Sequence, residues 1–187
     1  MPAPMITVDG VGVPVEVTGP ENGSVVVLLG AAQKAPAAYE AICQRLHTAS
    51  LRTVVIGPDP RLTAKSVIDI LDKLDVRWAL LVGDRLGGEL AWELAATRLD
   101  RFIGLVVIDR GHPRVPDLAG AVRDDSCPPV ELNTTALVST PASRAVAKAS
   151  QRFVYGEYRI VDLLGRRQAA DSTAQLAAEI VMRTSTW

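Results

Sequence analysis

Leu80-Leu81-Val82-Gly83-Asp84-Arg85-Leu86-Gly87-Gly88 reads as the end of a buried strand, a sharp turn and the start of a helix. The apolar run stops at Gly83, and Gly87-Gly88 follows two residues after Arg85. A helix N-terminus favours a negative group. The residue at the middle of this turn is nevertheless an arginine. On either side the pattern continues. Trp78 to Val82 predicts a strand, Leu86 to Ala96 a helix with small residues toward a sheet, and Phe102 to Ile108 a second buried strand. The continuous apolar runs, rather than alternation, mark strands covered on both faces.

The same alternation extends outward. Ser24 to Gly30 (SVVVLLG) predicts a buried strand. Tyr39, Ile42, Cys43 and Leu46 have helical spacing after Pro36. Arg52 to Ile56 predicts a strand, and Thr63 opens a helix with Val67, Ile68, Ile70, Leu71 and Leu74 on its apolar side. Thr135 to Val138 and Tyr158 to Leu163 predict the last strands, before a terminal helix carrying Leu176, Ile180 and Val181. Near the N-terminus, Ile6 to Val8 and Val13 to Val17 alternate around Gly10 and Gly12, as in an antiparallel hairpin at a sheet edge. Strands alternating with helices imply right-handed crossovers and a mainly parallel, twisted, doubly wound sheet with helices on both faces. Residues 113–133 read as a proline-containing loop, in which Val115, Leu118 and Val122 predict one short helix. The expected organisation is a single domain over residues 1–187.

Composition narrows the function classes. The net charge is −1 and aromatic residues make up 4% of the 187, which argues against nucleic acid or an anionic membrane as partner. No apolar run is long enough to span a bilayer. Residues 1–10 lack the basic and apolar regions of a signal peptide. Cys43 and Cys127 are far apart and lack metal-ligand spacing, so two reduced thiols and a cytoplasmic location are expected, with no metal and no cofactor.

Three segments together resemble the α/β-hydrolase family. SVVVLLG followed by AAQKAPAAYEAICQRL looks like the third strand and oxyanion loop. LTAKSVIDILDKLDVRWALLVGDRLGGELAWELA looks like the helix, strand and nucleophile elbow; YRIVDLLGRRQAADSTAQLAAEIV looks like the last strand, histidine loop and final helix. The resemblance implies the α/β-hydrolase fold, with the family's cap cut to the loop at about 113–133. It also implies where a catalytic triad would lie. The elbow's middle residue, normally the nucleophile, matches Arg85. The acid position after the seventh strand falls in ALVSTPASRAV, without Asp or Glu. The histidine loop holds Arg166, Arg167 and Gln168. An arginine stays protonated, its pKa lying above ~12, so it is no general base.

These departures leave alternatives. Arg85, beside backbone N–H groups near Ala31 and Leu86, can bind a small carboxylate or phosphate through its planar fork. It can instead pair with Asp84 or Asp109 and plug the pocket. Asp109 resembles an alternative family acid, and a pair of Asp109 with His112 would activate water for an ester-type hydrolysis, with Arg85 stabilising the oxyanion. His112 can equally be part of a turn-stabilising network around Gly111 and Pro113. A shift by one residue would make Asp84 a nucleophile, though the glycine spacing centres the turn on Arg85. Ser139, Thr140 and Ser143 show no base. His47 is expected on the surface of the first helix, and Cys127 is expected to be blunted by neighbouring acids. The ligand-binding set is therefore Arg85, Asp84, Leu86, Ala31, Asp109 and His112. A protein partner, a second copy of the chain included, is the other expected class.

Overall fold

The computed structural model describes residues 5–8, 10–32, 34–163 and 169–185. Eight strands form one sheet: β1 (Met5–Val8), β2 (Val11–Thr18), β3 (Ser24–Leu29), β4 (Leu51–Ile56), β5 (Ala79–Asp84), β6 (Phe102–Ile108), β7 (Thr134–Val138) and β8 (Tyr158–Asp162). Their order is β1-β2-β4-β3-β5-β6-β7-β8. The expected edge hairpin is β1–β2, antiparallel, and β2 joins β4 antiparallel; every pairing from β4 to β8 is parallel. The chain runs outward from β3 to β4, then returns to the other side of β3 as β5. That reversal opens a crevice beyond the carboxyl ends of β3 and β5, where ligands of open α/β sheets bind.

Among the described residues, five α-helices cover the sheet: α1 (Glu40–Thr48), α2 (Ala64–Lys73), α3 (Leu86–Thr97), α4 (Pro141–Ser150) and α5 (Ala169–Thr184). The period-2 alternation of a strand divides its apolar residues between two cores. Val27, Leu29, Leu81, Leu105 and Val107 pack with residues of α2, α3 and α4. Val26, Leu28, Leu80, Val82, Val106 and Ile108 pack with residues of α1 and α5. Both faces are thus covered, which is why these strands read as unbroken apolar runs.

Three expectations are corrected. Trp78 lies before β5 and is 60% exposed, because the chain enters the sheet only at Ala79. Residues 113–133 form no helix. Pro116 interrupts the pattern, and the Asp117 carboxylate accepts from the N–H groups of Ala119 and Ala121 in a turn that leaves Leu118 and Val122 exposed. The segment between β7 and β8, with no helix expected, contains α4. Its N-terminus is marked by Thr140, whose hydroxyl accepts from Ser143 N–H at 3.0 Å, and by Pro141 in the first turn. Among the described residues no helix is long and apolar enough to cross a membrane.

Candidate functional site

The turn at Arg85 is built by close packing. Arg85 has φ 51° and ψ −107°, a conformation that costs a non-glycine residue about 1–3 kcal/mol. Its N–H donates to Ile108 O at 3.0 Å, and its carbonyl accepts from Gly88 N–H at 2.8 Å. Glycines hold α3 against the sheet: a Cβ on Gly87 would strike the Leu29 carbonyl, and one on Gly83 would lie 2.5 Å from Gly88 Cα. Arg85 is therefore the centre of the turn. Asp84 is the last residue of β5, 3% exposed, and does not occupy the strained position.

Buried Asp84 gathers the charge. Arg85 Nη1 donates to Asp84 Oδ1 at 3.0 Å. Lys34 Nζ stands 3.8 Å from Oδ2, and the Tyr39 hydroxyl donates to Oδ2 at 2.7 Å. The same hydroxyl accepts from Ala31 N–H at 2.8 Å. The expectation of an open N–H at Ala31 is thus overturned: the Tyr39 phenol accepts from it. Burial pushes the Tyr39 phenol far above its usual range, and the Asp84 bond adds to the effect. Tyr39 remains a neutral donor at any ordinary pH. Leu86 N–H has no acceptor among the described residues.

Asp109 and His112 are not brought into one unit. Asp109, also left-handed at φ 55°, accepts from Ser139 N–H at 2.8 Å and from Ser139 Oγ at 2.5 Å. It joins the ends of β6 and β7 rather than any imidazole. His112 is fully buried. Its Nε2 lies 2.8 Å from Pro128 O, and Nδ1 accepts from Arg114 N–H at 3.2 Å. Those partners require the neutral Nε2–H tautomer. The ring stacks on Phe153 with centroids 4.7 Å apart, and its own backbone N–H donates to Ser150 Oγ. Burial pushes its pKa down, with Arg114 adding to the effect and the Pro128 carbonyl opposing it. His112 cross-links three loops.

The elbow separates two cavities. One, of about 380 Å³, is lined by Leu29, Leu86, Gly87, Arg110, His112 and Val115 among others. The other, of about 530 Å³, opens between α1 and α5 and is lined by Lys34, Asp84, Arg85, Ser139, Leu163 and Leu176 among others. Arg85 turns its half-exposed side chain to the second. Lys34, Tyr39 and Ser139 were missed as site residues. Tyr39 reads as one apolar position of a helix, and its bond to Asp84 spans 45 residues of sequence. A tyrosine so placed needs a partner for its hydroxyl once buried, which is the one signal the sequence carried.

The remaining candidates fall elsewhere. Thr140 and Ser143 cap α4. His47 Nε2 lies 2.9 Å from Thr53 Oγ1 and 3.2 Å from Thr18 Oγ1, so this partly buried ring links α1 to β2 and β4. Cys127 is buried, and burial first, then Asp124 and Glu93, pushes its thiol up to about 11. Arg166, Arg167 and Gln168 lie outside the described residues. Among the described residues, no group of three His, Cys, Asp or Glu side chains is placed to hold a metal ion.

Strand order, helix placement and the strained turn after β5 define an α/β-hydrolase fold. Similar solved structures agree. Epoxide hydrolase A from Mycobacterium thermoresistibile superposes with a TM-score of 0.75 at 11% identity, covering 98% of each chain. A hydrolase from Pseudomonas aeruginosa gives 0.71 at 16% identity over 96% of each chain. Est1E from Butyrivibrio proteoclasticus gives 0.71 at 13% identity over 98% of each chain. No family model matches the sequence, and no curated protein matches it. At such identities the likeness establishes the fold alone.

Proposed function

We propose that this chain is a non-catalytic protein of α/β-hydrolase fold whose elbow binds a small anion. The observation that carries the reading is the disposition of Arg85. In the strained central position, its guanidinium spends one Nη1–H on Asp84 and faces an open cavity with Lys34 beside it. No acceptor among the described residues engages Arg85 Nε or Nη2. A planar cation with an unused N–H edge is suited to a carboxylate or phosphate. The pairing with Asp84 is a hinge for the guanidinium rather than a full plug.

Acyl transfer lacks its parts. Arginine supplies neither a nucleophile nor a base, Tyr39 occupies one oxyanion donor, and no histidine among the described residues faces Arg85. The alternative, water activation by Asp109 and His112, loses support from the separate engagements of the two side chains. For a protein partner, the described residues offer exposed apolar side chains such as Trp78 and Tyr155.

The test is thermal unfolding in sodium acetate and in phosphate, against chloride at matched ionic strength. An anion at ten times its Kd should raise the wild-type melting temperature by about 3–6 °C. Arg85→Gln should abolish the rise. An equal rise in wild type and variant would refute an anion site at Arg85.

A further inference from the structure

We infer that the occupant of the Arg85 cavity is an aliphatic monocarboxylate: a single negative head at Lys34 and Arg85, with a hydrocarbon tail along the wall between α1 and α5. The inference rests on the anion reading above and adds the chemical class.

Charge fixes the head. Lys34, Asp84 and Arg85 are the only ionisable side chains besides the Tyr39 phenol among the described residues that line this cavity. Among the described lining residues, two cations against one carboxylate leave a single positive charge for the ligand to neutralise. A phosphate dianion would instead leave the half-buried site with an excess negative charge beside Asp84. The Nε and Nη2 groups of Arg85 have no acceptor among the described residues, and such an edge is one that a carboxylate meets with two parallel hydrogen bonds. Lys34, with 47% of its side chain exposed, adds a mobile point charge.

The wall fixes the tail. Ala38 in the turn before α1, Ala41 and Ile42 of α1, Ile108 of β6, Leu163 beyond β8 and Leu176 of α5 form the apolar part of the lining, with Ser139, Ser172 and Thr173 as its uncharged polar part. Leu163 and Leu176 remain partly exposed. At about 530 Å³ the cavity is of small-molecule size, within the roughly 300–1,000 Å³ typical of such sites. An inorganic anion would fill only its charged end and leave this apolar lining in water. A hydrocarbon chain removes that lining from solvent, at about a fourfold gain in affinity for each methylene buried.

Isothermal titration calorimetry of the whole chain with acetate, butyrate, hexanoate, octanoate and inorganic phosphate tests this, with hexanol as an uncharged control. In wild type, affinity should rise about fourfold per methylene. Hexanoate should bind at least tenfold more tightly than phosphate or hexanol. Arg85→Gln should weaken hexanoate at least tenfold, and Leu176→Ser should flatten the chain-length series, with circular dichroism confirming the fold of both. The wild-type series is decisive without either variant. Arg85-dependent phosphate binding with no gain along the carboxylates would overturn the monocarboxylate assignment and leave the anion site standing. Equal hexanoate affinity in wild type and Arg85→Gln would overturn it as well. If no probe binds in an Arg85-dependent way, both readings fall together.

Discussion

At the scale of single residues, the centre of the site is a substitution of roles. The turn after β5 has a strained backbone, and the side chain at its centre is the Arg85 cation. Asp84 makes this tolerable: a guanidinium at a helix N-terminus is unfavourable, and a buried carboxylate 3.0 Å away compensates it. Tyr39 then secures Asp84 and the Ala31 N–H at once. Leaving either group without its partner would cost on the order of 1–3 kcal/mol, so this phenol helps hold the cation's counter-charge in place. His112 illustrates the opposite outcome, a residue with catalytic potential given to structure. Its folded pKa is depressed, so the unfolded chain takes up the proton first as pH falls. The contribution of the neutral ring to stability is complete above the unfolded value, about 6.5, and declines below it toward the folded value, by at most ~1.4 kcal/mol per pH unit. Urea unfolding at pH 7.5 and pH 5.5 should therefore show a larger loss for wild type than for His112→Asn. Equal losses would contradict the buried neutral assignment.

At the scale of elements, the elbow works because α3 can approach the sheet. Gly87 has the Leu29 and Gly30 carbonyls where its side chain would be. Alanine in a helix is intrinsically better than glycine by up to ~1 kcal/mol, but overpacking against backbone costs about 1–3 kcal/mol and cannot be relieved by a rotamer change. Gly87→Ala should thus lower the melting temperature by several degrees; a rise would show that α3 has slack. The strands from Ser24 to Ile108 were legible because burial on both faces imposes unbroken apolar runs. The glycines around Arg85 were legible because few other patterns need them. What escaped the sequence had weaker signatures. α4, Pro141–Ser150, buries Ser143, Ala147 and Ser150 rather than large apolar residues, so no strong helical stripe forms. In residues 113–133, Asp117 satisfies local N–H groups with its own carboxylate, and three apolar residues at near-helical spacing end up in a turn. The site divided in the same way. Arg85 and Asp84 adjoin in sequence and were visible, whereas Tyr39, Lys34 and Ser139 depend on contacts from other strands' loops. The open N–H expected at Ala31 failed for that reason.

At the scale of the whole molecule, the sheet reversal between β4 and β5 places every charged group of the site at one crevice. A doubly wound sheet provides that crevice whatever chemistry is installed there, so fold and function are separate questions. The fold is the α/β-hydrolase fold, and the function we propose for the elbow is holding an anion rather than breaking an ester. The most direct test is turnover of p-nitrophenyl acetate, butyrate and octanoate by wild type, Arg85→Ala and Arg85→Ser. No turnover above the uncatalysed rate is expected from any of the three, since a serine restored at residue 85 still lacks a histidine to take its proton. Wild-type turnover that disappears in Arg85→Ala would contradict the account and make Arg85 part of a working active site.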